Sequence, residues 1–215
     1  MNIENQISVV IFDCDGVMFD SRMANVNFYN HILKKFNLPP MNEEDEYFVH
    51  IHTAEDSVQQ IFKGTRYGTE AEALRTKMDY SPFIKYMLIE PDLKTLLEAL
   101  KPRYGLGIAT NRSNTMEFVL EVFELTAFFD IVVSSLDVSR PKPHPESLYK
   151  ILDHFSIEPS EAVYIGDSIV DFYTAQAAGV HFISYKNNAL ETPYKISRLL
   201  DLKNILDDSE KFLTK

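Results

Sequence analysis

Asp13 and Asp15 stand two apart in Phe12-Asp13-Cys14-Asp15-Gly16-Val17, where an apolar stretch runs out into a glycine turn. Residues 7–12 are almost continuously apolar and β-branched, the composition of a strand buried on both faces of a parallel sheet. Side chains alternate along a strand, so Asp13 and Asp15 leave it on one side and Cys14 on the other, unless the chain has already turned. Two ionised carboxylates over one small volume repel, so either one holds a proton or a cation sits beside them. The chemistry such a site offers is phosphoryl transfer. The plainer alternative is a pair of strand-end aspartates that cap a neighbouring helix or accept turn amides.

The positions that follow other apolar runs bear on this choice. Short apolar runs recur at residues 105–110, 131–135, 162–166 and 180–185, each reading as a strand. Helical periodicity fills the intervals at 92–101, 113–125, 145–155 and 168–178, the last closed by Gly179. Alternating strands and helices predict a parallel α/β sheet with right-handed crossovers, and ligands bind such sheets beyond the carboxyl ends of the strands. There the chain places Asp13 and Asp15, then Thr110, Asn111 and Arg112, then Lys142, then Gly166, Asp167 and Asp171. Carboxylates for a metal, donors for a phosphate and a fixed cation are all in this set.

Each member also has a structural explanation. Asp167 and Asp171 fall four apart at a helix start, where one caps the helix and the other favours its positive end. Thr110 and Asn111 suit an ordinary helix entry with Ser113 as cap, although free N–H groups at a helix start also bind anions. Lys142 lies in Ser139-Arg140-Pro141-Lys142-Pro143-His144-Pro145, whose prolines stiffen it. Alone it reads as a solvated lysine.

Residues 21–85 break the rhythm, with helical patterns at 22–37, 54–63 and 69–79 and no convincing strand. They read as a helical insert after the first strand, joined by linkers at 18–20 and 81–91 that permit a hinged lid. In the insert Lys63, Arg66 and Lys77 are candidates to meet an anionic substrate, against simple solvation. His50 and His52, two apart on a helix, point in different directions and make a poor metal pair. The aromatics Phe12, Phe28, Phe36, Phe48 and Phe62 read as packing. Residues 186–215 read as a polar loop followed by a C-terminal helix.

Composition sets outer bounds. The chain has 215 residues, 45% hydrophobic and 25% charged, enough for one core plus a smaller module. Its net charge of −11 argues against a nucleic-acid groove. A small phosphate ester remains compatible, because a metal and local cations reverse the field at one site. No apolar stretch approaches the roughly 20 residues of a membrane span, and Met1-Asn2-Ile3-Glu4-Asn5 lacks the basic start of a secretory signal. The lone Cys14 cannot form an internal disulfide and reads as a small buried hydrophobe. A cytoplasmic protein, monomer or homodimer, is the expectation.

Together these segments resemble the haloacid dehalogenase superfamily, in its phosphatase branch with a small helical cap after the first strand. The resemblance spans residues 9–185. It rests on Phe12-Asp13-Cys14-Asp15-Gly16-Val17 with Asp20-Ser21, Ala109-Thr110-Asn111, Lys142-Pro143-His144-Pro145, and Gly166-Asp167-Ser168 with Asp171, all in order. It implies a three-layer Rossmann-like core formed by residues 1–19 and 86–215 and an all-helical cap of residues 20–85. It also implies a Mg²⁺-dependent phosphatase acting on a small phosphorylated metabolite through an aspartyl-phosphate. In that scheme Asp13 is the nucleophile. Asp15 protonates the leaving oxygen and then activates water, a dual use that needs a carboxyl able to exchange its proton near working pH. Asp13, the Asp15 backbone carbonyl and Asp167 hold Mg²⁺, with Asp171 orienting that shell. Thr110, the Asn111 amide and Lys142 hold the phosphoryl oxygens. The second aspartate favours phosphate esters over the dehalogenating and phosphonate-cleaving branches. A β-phosphoglucomutase-like enzyme is the alternative, although such mutases carry a histidine ten residues after the second aspartate, where this chain has Asn25. A binding protein that kept the fold without turnover is the third reading.

Overall fold

The computed structural model describes residues 7–207; the opening Met1 to Asn5 and the last eight residues of the expected C-terminal helix lie outside that range. In chain order the elements are β1 (Val9–Phe12), β2 (Phe19–Asp20), α1 (Arg22–Lys35), α2 (Glu43–Ile51), α3 (Ala54–Ile61), α4 (Gly68–Arg75), β3 (Leu88–Ile89), α5 (Leu93–Leu100), β4 (Gly105–Ala109) and α6 (Met116–Val122). There follow β5 (Ile131–Val133), α7 (Glu146–Phe155), β6 (Ala162–Gly166), α8 (Ile169–Ala178), β7 (His181–Tyr185), β8 (Tyr194–Ile196) and α9 (Leu202–Asp207).

Six strands form one sheet in the order β5-β4-β1-β6-β7-β8, parallel throughout. All four residues of β1 are buried, and each such aliphatic or aromatic side chain contributes about 1.5–3 kcal/mol by leaving water. Their alternation splits the core into layers. Val9 and Ile11 join Leu148, Ile151 and Ala175 of α7 and α8 on one face, whereas Val10 and Phe12 join Leu93, Leu97 and Val119 of α5 and α6 on the other. From β1 the order runs outward through β4 and β5, then through β6, β7 and β8 on the opposite side. The carboxyl end of β1 therefore lies at the switch point where such sheets bind ligands. In register, Phe12 sits between Ile108 and Ile165, which brings Asp13 beside the ends of β4 and β6.

The insert folds as four α-helices, one more than expected. The additional helix, α2, starts at Asn42, whose side chain accepts from the Asp45 amide, and its first turn is Glu43, Glu44, Asp45 and Glu46. Both features suit a helix N-terminus. At the junctions the chain pairs with itself: Phe19 opposite Ile89 and Asp20 opposite Leu88 form a short antiparallel ribbon where bare linkers were expected. The rings of Phe28, Tyr29, Tyr80 and Phe83 pack edge to face or tilted at 5.2–6.1 Å, and this cluster is continuous with the core beneath the sheet. Beyond β7 the expected loop instead contributes the edge strand β8. Among the described residues no helix is long and apolar enough to cross a membrane.

Candidate active site

The two aspartates of the first motif part company at the end of β1. Gly16 takes φ +83°, a left-handed conformation that glycine adopts without penalty. A Cβ there would lie 2.1 Å from Asp167 Oδ2, so Gly16 is also what lets the Asp167 carboxylate lie against the turn. Asp13 turns toward Lys142 and Asp15 toward Arg112.

Around Asp13 the groups form a closed network. Lys142 Nζ donates to Asp13 Oδ1 at 2.9 Å, to Asp171 Oδ1 at 2.6 Å and to the Tyr164 hydroxyl at 2.9 Å, which uses all three ammonium protons. The Tyr164 hydroxyl in turn lies 2.7 Å from Asp171 Oδ1 and 3.0 Å from the Ala109 carbonyl, with one proton for the two. Asp171 Oδ2 accepts from the Ser168 amide and hydroxyl, and Ser168 accepts from the Asp171 amide, a capping box at the start of α8. Asp171 thus caps its helix and anchors Lys142 at once. Asn111 clamps the same lysine through its backbone, accepting from the Lys142 amide and donating to the Lys142 carbonyl. Lys142 is therefore a buried, immobilised charge and not a solvated one.

Asp13, Asp167 and Asp171 each bring one oxygen within 4.8 Å of the others. Burial and the neighbouring charge of Asp171, with a smaller contribution from Asp167, push the Asp13 carboxyl up to about 8, despite the pull of Lys142. Burial likewise raises Asp167. Three carboxylates and one lysine leave this volume short of positive charge, and hard oxygen donors suit Mg²⁺. The residues present fit that ion. Because Asp171 is occupied by Lys142, Tyr164 and Ser168, Asp13 and Asp167 are the side chains with oxygens to offer, and Asp171 supports them from behind.

Asp15 lies outside this acidic cluster. Its Oδ1 and Oδ2 accept from Arg112 Nη2 and Nε at 2.5 and 3.1 Å, a two-pronged pair with both side chains mostly buried. Burial pushes the Asp15 carboxyl up, but the Arg112 guanidinium outweighs it and holds the group below the usual carboxylate range. For the expected proton exchange, the pair between Asp15 and Arg112 has to open. Thr110 is buried, and its Oγ1 accepts from the Arg112 amide, a bond that leaves the hydroxyl's own proton to donate.

The cap closes over these groups. His50 Nε2 lies 3.6 Å from Asp167 Oδ2, Asn111 Nδ2 donates to the Ile51 carbonyl at 3.3 Å, and Arg75 Nη1 donates to Ser113 Oγ at 3.4 Å. His50, weighed in the sequence only as half of a poor metal pair, instead reaches a core carboxylate. The cavity between the two parts is lined by Asp13, Asp15, Thr110, Asn111, Lys142 and Asp167 from the core and by Asn25, Tyr29, His50, Arg75 and Tyr80 from the cap. Lys63, Arg66 and Lys77 are exposed and do not line it; the cationic cap residue at the cavity is Arg75. Asn25 accepts from the Tyr80 hydroxyl at 3.1 Å. Cys14 is fully buried, as its strand parity required.

Known proteins resemble this chain in sequence and fold. Residues 10–185 match the family model for haloacid dehalogenase-like hydrolases. The chain is 28% identical over 204 residues to the pyrophosphatase PpaX of Bacillus cereus, covering 91% of this chain and 93% of that protein. A hydrolase of this superfamily from Geobacter sulfurreducens, subfamily IA, variant 1, superposes with a TM-score of 0.82 at 39% identity, over 93% of this chain and 99% of its own. The β-phosphoglucomutase of Clostridium difficile gives a TM-score of 0.85 over 98% of this chain and all of its own, but at 17% identity it speaks for the fold alone. The chain belongs to the haloacid dehalogenase-like hydrolase family.

Proposed function

We propose that this phosphatase hydrolyses a small phosphorylated metabolite, a phosphate monoester, with Mg²⁺ and through an aspartyl-phosphate. The observation that carries the proposal is the meeting of Asp13, Asp167 and Asp171 with the buried Lys142 at the carboxyl ends of β1 and β6. Asp13 attacks phosphorus; its new O–P bond forms as the ester P–O bond breaks, and the leaving oxygen takes a proton from Asp15. Water then attacks the same phosphorus and gives a proton to Asp15. The bond to Asp13 breaks, and inorganic phosphate departs. Thr110, the Asn111 amide and the Lys142 charge steady the phosphoryl oxygens, in a transition state governed mainly by electrostatics. Bound at Asp13, the Asp15 backbone carbonyl and Asp167, Mg²⁺ would neutralise phosphoryl charge and keep Asp13 ionised. Residues 20–85 act in this proposal as a lid over a core of 1–19 and 86–215. A cytoplasmic setting belongs to it too, in keeping with a lone buried thiol.

One second substrate is favoured by a specific observation. The PpaX relative is a pyrophosphatase, so the phosphoanhydride of pyrophosphate joins the monoesters as a candidate. The mutase reading ranks lower, because the position where such mutases carry histidine holds Asn25, already engaged by Tyr80.

The test is phosphate release from a panel of phosphate esters and pyrophosphate, with Mg²⁺ or a chelator, for the intact chain and Asp13→Asn. Release that needs Mg²⁺ and falls at least about a thousandfold in the variant is the expected result. Full turnover by Asp13→Asn would sink the assigned nucleophile.

A further inference from the structure

Asp167 occupies a gap between two elements. β6 ends at Gly166 and α8 begins at Ile169 with Ser168 as its cap, so the Asp167 carbonyl belongs neither to the sheet ladder nor to the helix. The bond it receives comes from a distant turn. In the register of β6 and β7, Gly166 lies opposite Ser184, which brings the turn after β7 beside Asp167, and Asn187 Nδ2 donates to the Asp167 carbonyl at 2.7 Å. Asp167 also lines two cavities, the one beneath the cap and a second bounded by Gly16, Asp20, Glu90 and Asn187. With open space on two sides, its carboxylate is placed by the main chain that carries it more than by packing. Asn187 holds that main chain.

Asn187 is itself held. Its Oδ1 accepts from the Ala189 amide at 3.1 Å, an Asx turn, and its carbonyl accepts from Ser184 Oγ at 2.7 Å. Lys186 before it takes φ +55°, a left-handed conformation that a residue with a side chain keeps only where its surroundings impose it. Here they do. The Lys186 amide donates to the Ile196 carbonyl at 2.9 Å, and its ammonium donates to Glu90 Oε1 and Oε2 at 2.7 and 2.8 Å. The Tyr185 hydroxyl donates to Glu90 Oε2 at 2.7 Å. Glu90 is buried and directly follows β3, and its amide bonds the Met18 carbonyl just before β2, so it stands at the ribbon that joins core and cap.

We propose that Asn187 is a positioning residue for Asp167, and that Tyr185, Lys186 and Asn187 form a strut through which Glu90, at the junction with the cap, braces that carboxylate. The proposal rests on the phosphatase reading above, in which Asp167 helps to hold Mg²⁺, and adds what sets this ligand in place. Hydrogen bonds behind a metal ligand orient it, and losing one typically costs about tenfold or more in metal affinity.

Mg²⁺ binding without substrate is the direct measure, by calorimetry on the intact chain, Asn187→Ser, Glu90→Gln and the double variant. Serine keeps an oxygen for the Ala189 amide but is too short to reach Asp167. Glutamine keeps the shape of Glu90 and removes its charge. Asn187→Ser should weaken Mg²⁺ binding about tenfold and Glu90→Gln about threefold. Because both act through one turn, the double variant should stay within about twofold of Asn187→Ser, where independent sites would give about thirtyfold. In turnover, the Mg²⁺ concentration for half-maximal rate should rise in Asn187→Ser while kcat at saturating Mg²⁺ stays within about twofold, a repair by metal that a purely structural role would not allow. Unchanged Mg²⁺ affinity in Asn187→Ser, or a kcat loss that saturating Mg²⁺ leaves in place, overturns the positioning role. Losses that multiply in the double variant, or no loss in Glu90→Gln, overturn the link to Glu90. If Asn187→Ser fails to fold, Ser184→Ala decides, since it removes the bond to the Asn187 carbonyl and should weaken Mg²⁺ binding about threefold. Amide exchange separates failure of the strut from failure of the phosphatase reading. If the intact chain binds no Mg²⁺, that reading loses its metal, and the strut stands or falls on whether Asn187→Ser speeds exchange at residues 167–169 about fivefold or more while β1 is unchanged. Mg²⁺ binding with the expected variant losses but no phosphate release from any substrate upholds the strut and removes the phosphatase reading instead.

Discussion

On the core wall of the cavity, Lys142, Asp13, Asp171, Tyr164 and Ser168 are joined by bonds of 2.5–3.2 Å, and every proton of the ammonium is committed. On the cap wall, the contacts that reach across are longer: His50 to Asp167 at 3.6 Å, Arg75 to Ser113 at 3.4 Å and Asn111 to the Ile51 carbonyl at 3.3 Å. The core wall is preorganised, with charges fixed before any ligand arrives, which lowers the reorganisation that phosphoryl chemistry requires. The polar contacts of the cap wall are few and marginal, and apolar packing carries the rest of its attachment. In the proposed function the reacting groups belong to the preorganised wall, and the cap is the lid over them.

Removing the centre of the core network is the most direct way to break this comparison. Lys142→Met leaves Asp13 and Asp171 buried without their cation and should cost about 3–5 kcal/mol in chemical denaturation. A loss under about 1 kcal/mol would mean that the network is not what holds this wall. A smaller effect is expected at the turn that seats Asp167. Gly16→Ala places a side chain at φ +83° against the Asp167 carboxylate. It should cost about 1–2 kcal/mol in stability and weaken Mg²⁺ binding by calorimetry, because the displaced carboxylate is a proposed ligand. Unchanged Mg²⁺ affinity would remove Asp167 from the ligand set.

Away from the cavity, Asp130 tests whether rigidity is general to the core. Burial pushes its carboxyl up, but the Leu106 amide at 2.9 Å and Lys101 at 2.6 Å outweigh this and hold it below the usual range. A lowered folded value stabilises above the ordinary carboxylate value near 4, and that contribution is lost as pH falls through the lowered value. Solvent screens this exposed pair, so Asp130→Asn should cost only about 0.5 kcal/mol at neutral pH, with the difference shrinking in acid. A deficit that grew in acid would reverse the sign. The smallest effect belongs to the cap. His50→Ala should leave global stability within about 0.5 kcal/mol and speed amide exchange in α2 by up to about fivefold, while exchange in β1 and β6 stays as it was. Equal acceleration in the core strands would show that the two walls are not mechanically distinct.

Much of this was legible in the chain because it is local. The β1 run, the turn at Gly16 and the capping residues of α8 each depend on neighbours within a few positions. Asn42 before four consecutive acidic residues is an equally local sign of α2. Arg75 escaped notice because nothing nearby distinguishes it from Lys63, Arg66 or Lys77; only packing buries one and leaves the others in solvent. Tyr164 read as one more apolar strand residue, and its hydroxyl acquired a role only when Lys142 and Asp171 met it.

By itself the sequence determined which groups would stand at the strand ends, since alternation along a strand and turn chemistry at its close are set by adjacent residues. The tertiary structure decided which carboxylate met which cation. Lys142, after β5, reaches Asp13 across 129 positions and Arg112, after β4, reaches Asp15 across 97, distances bridged by the order in which β5, β4 and β1 pair. Charges act through space, and strand order, which no local pattern encodes, sets that space.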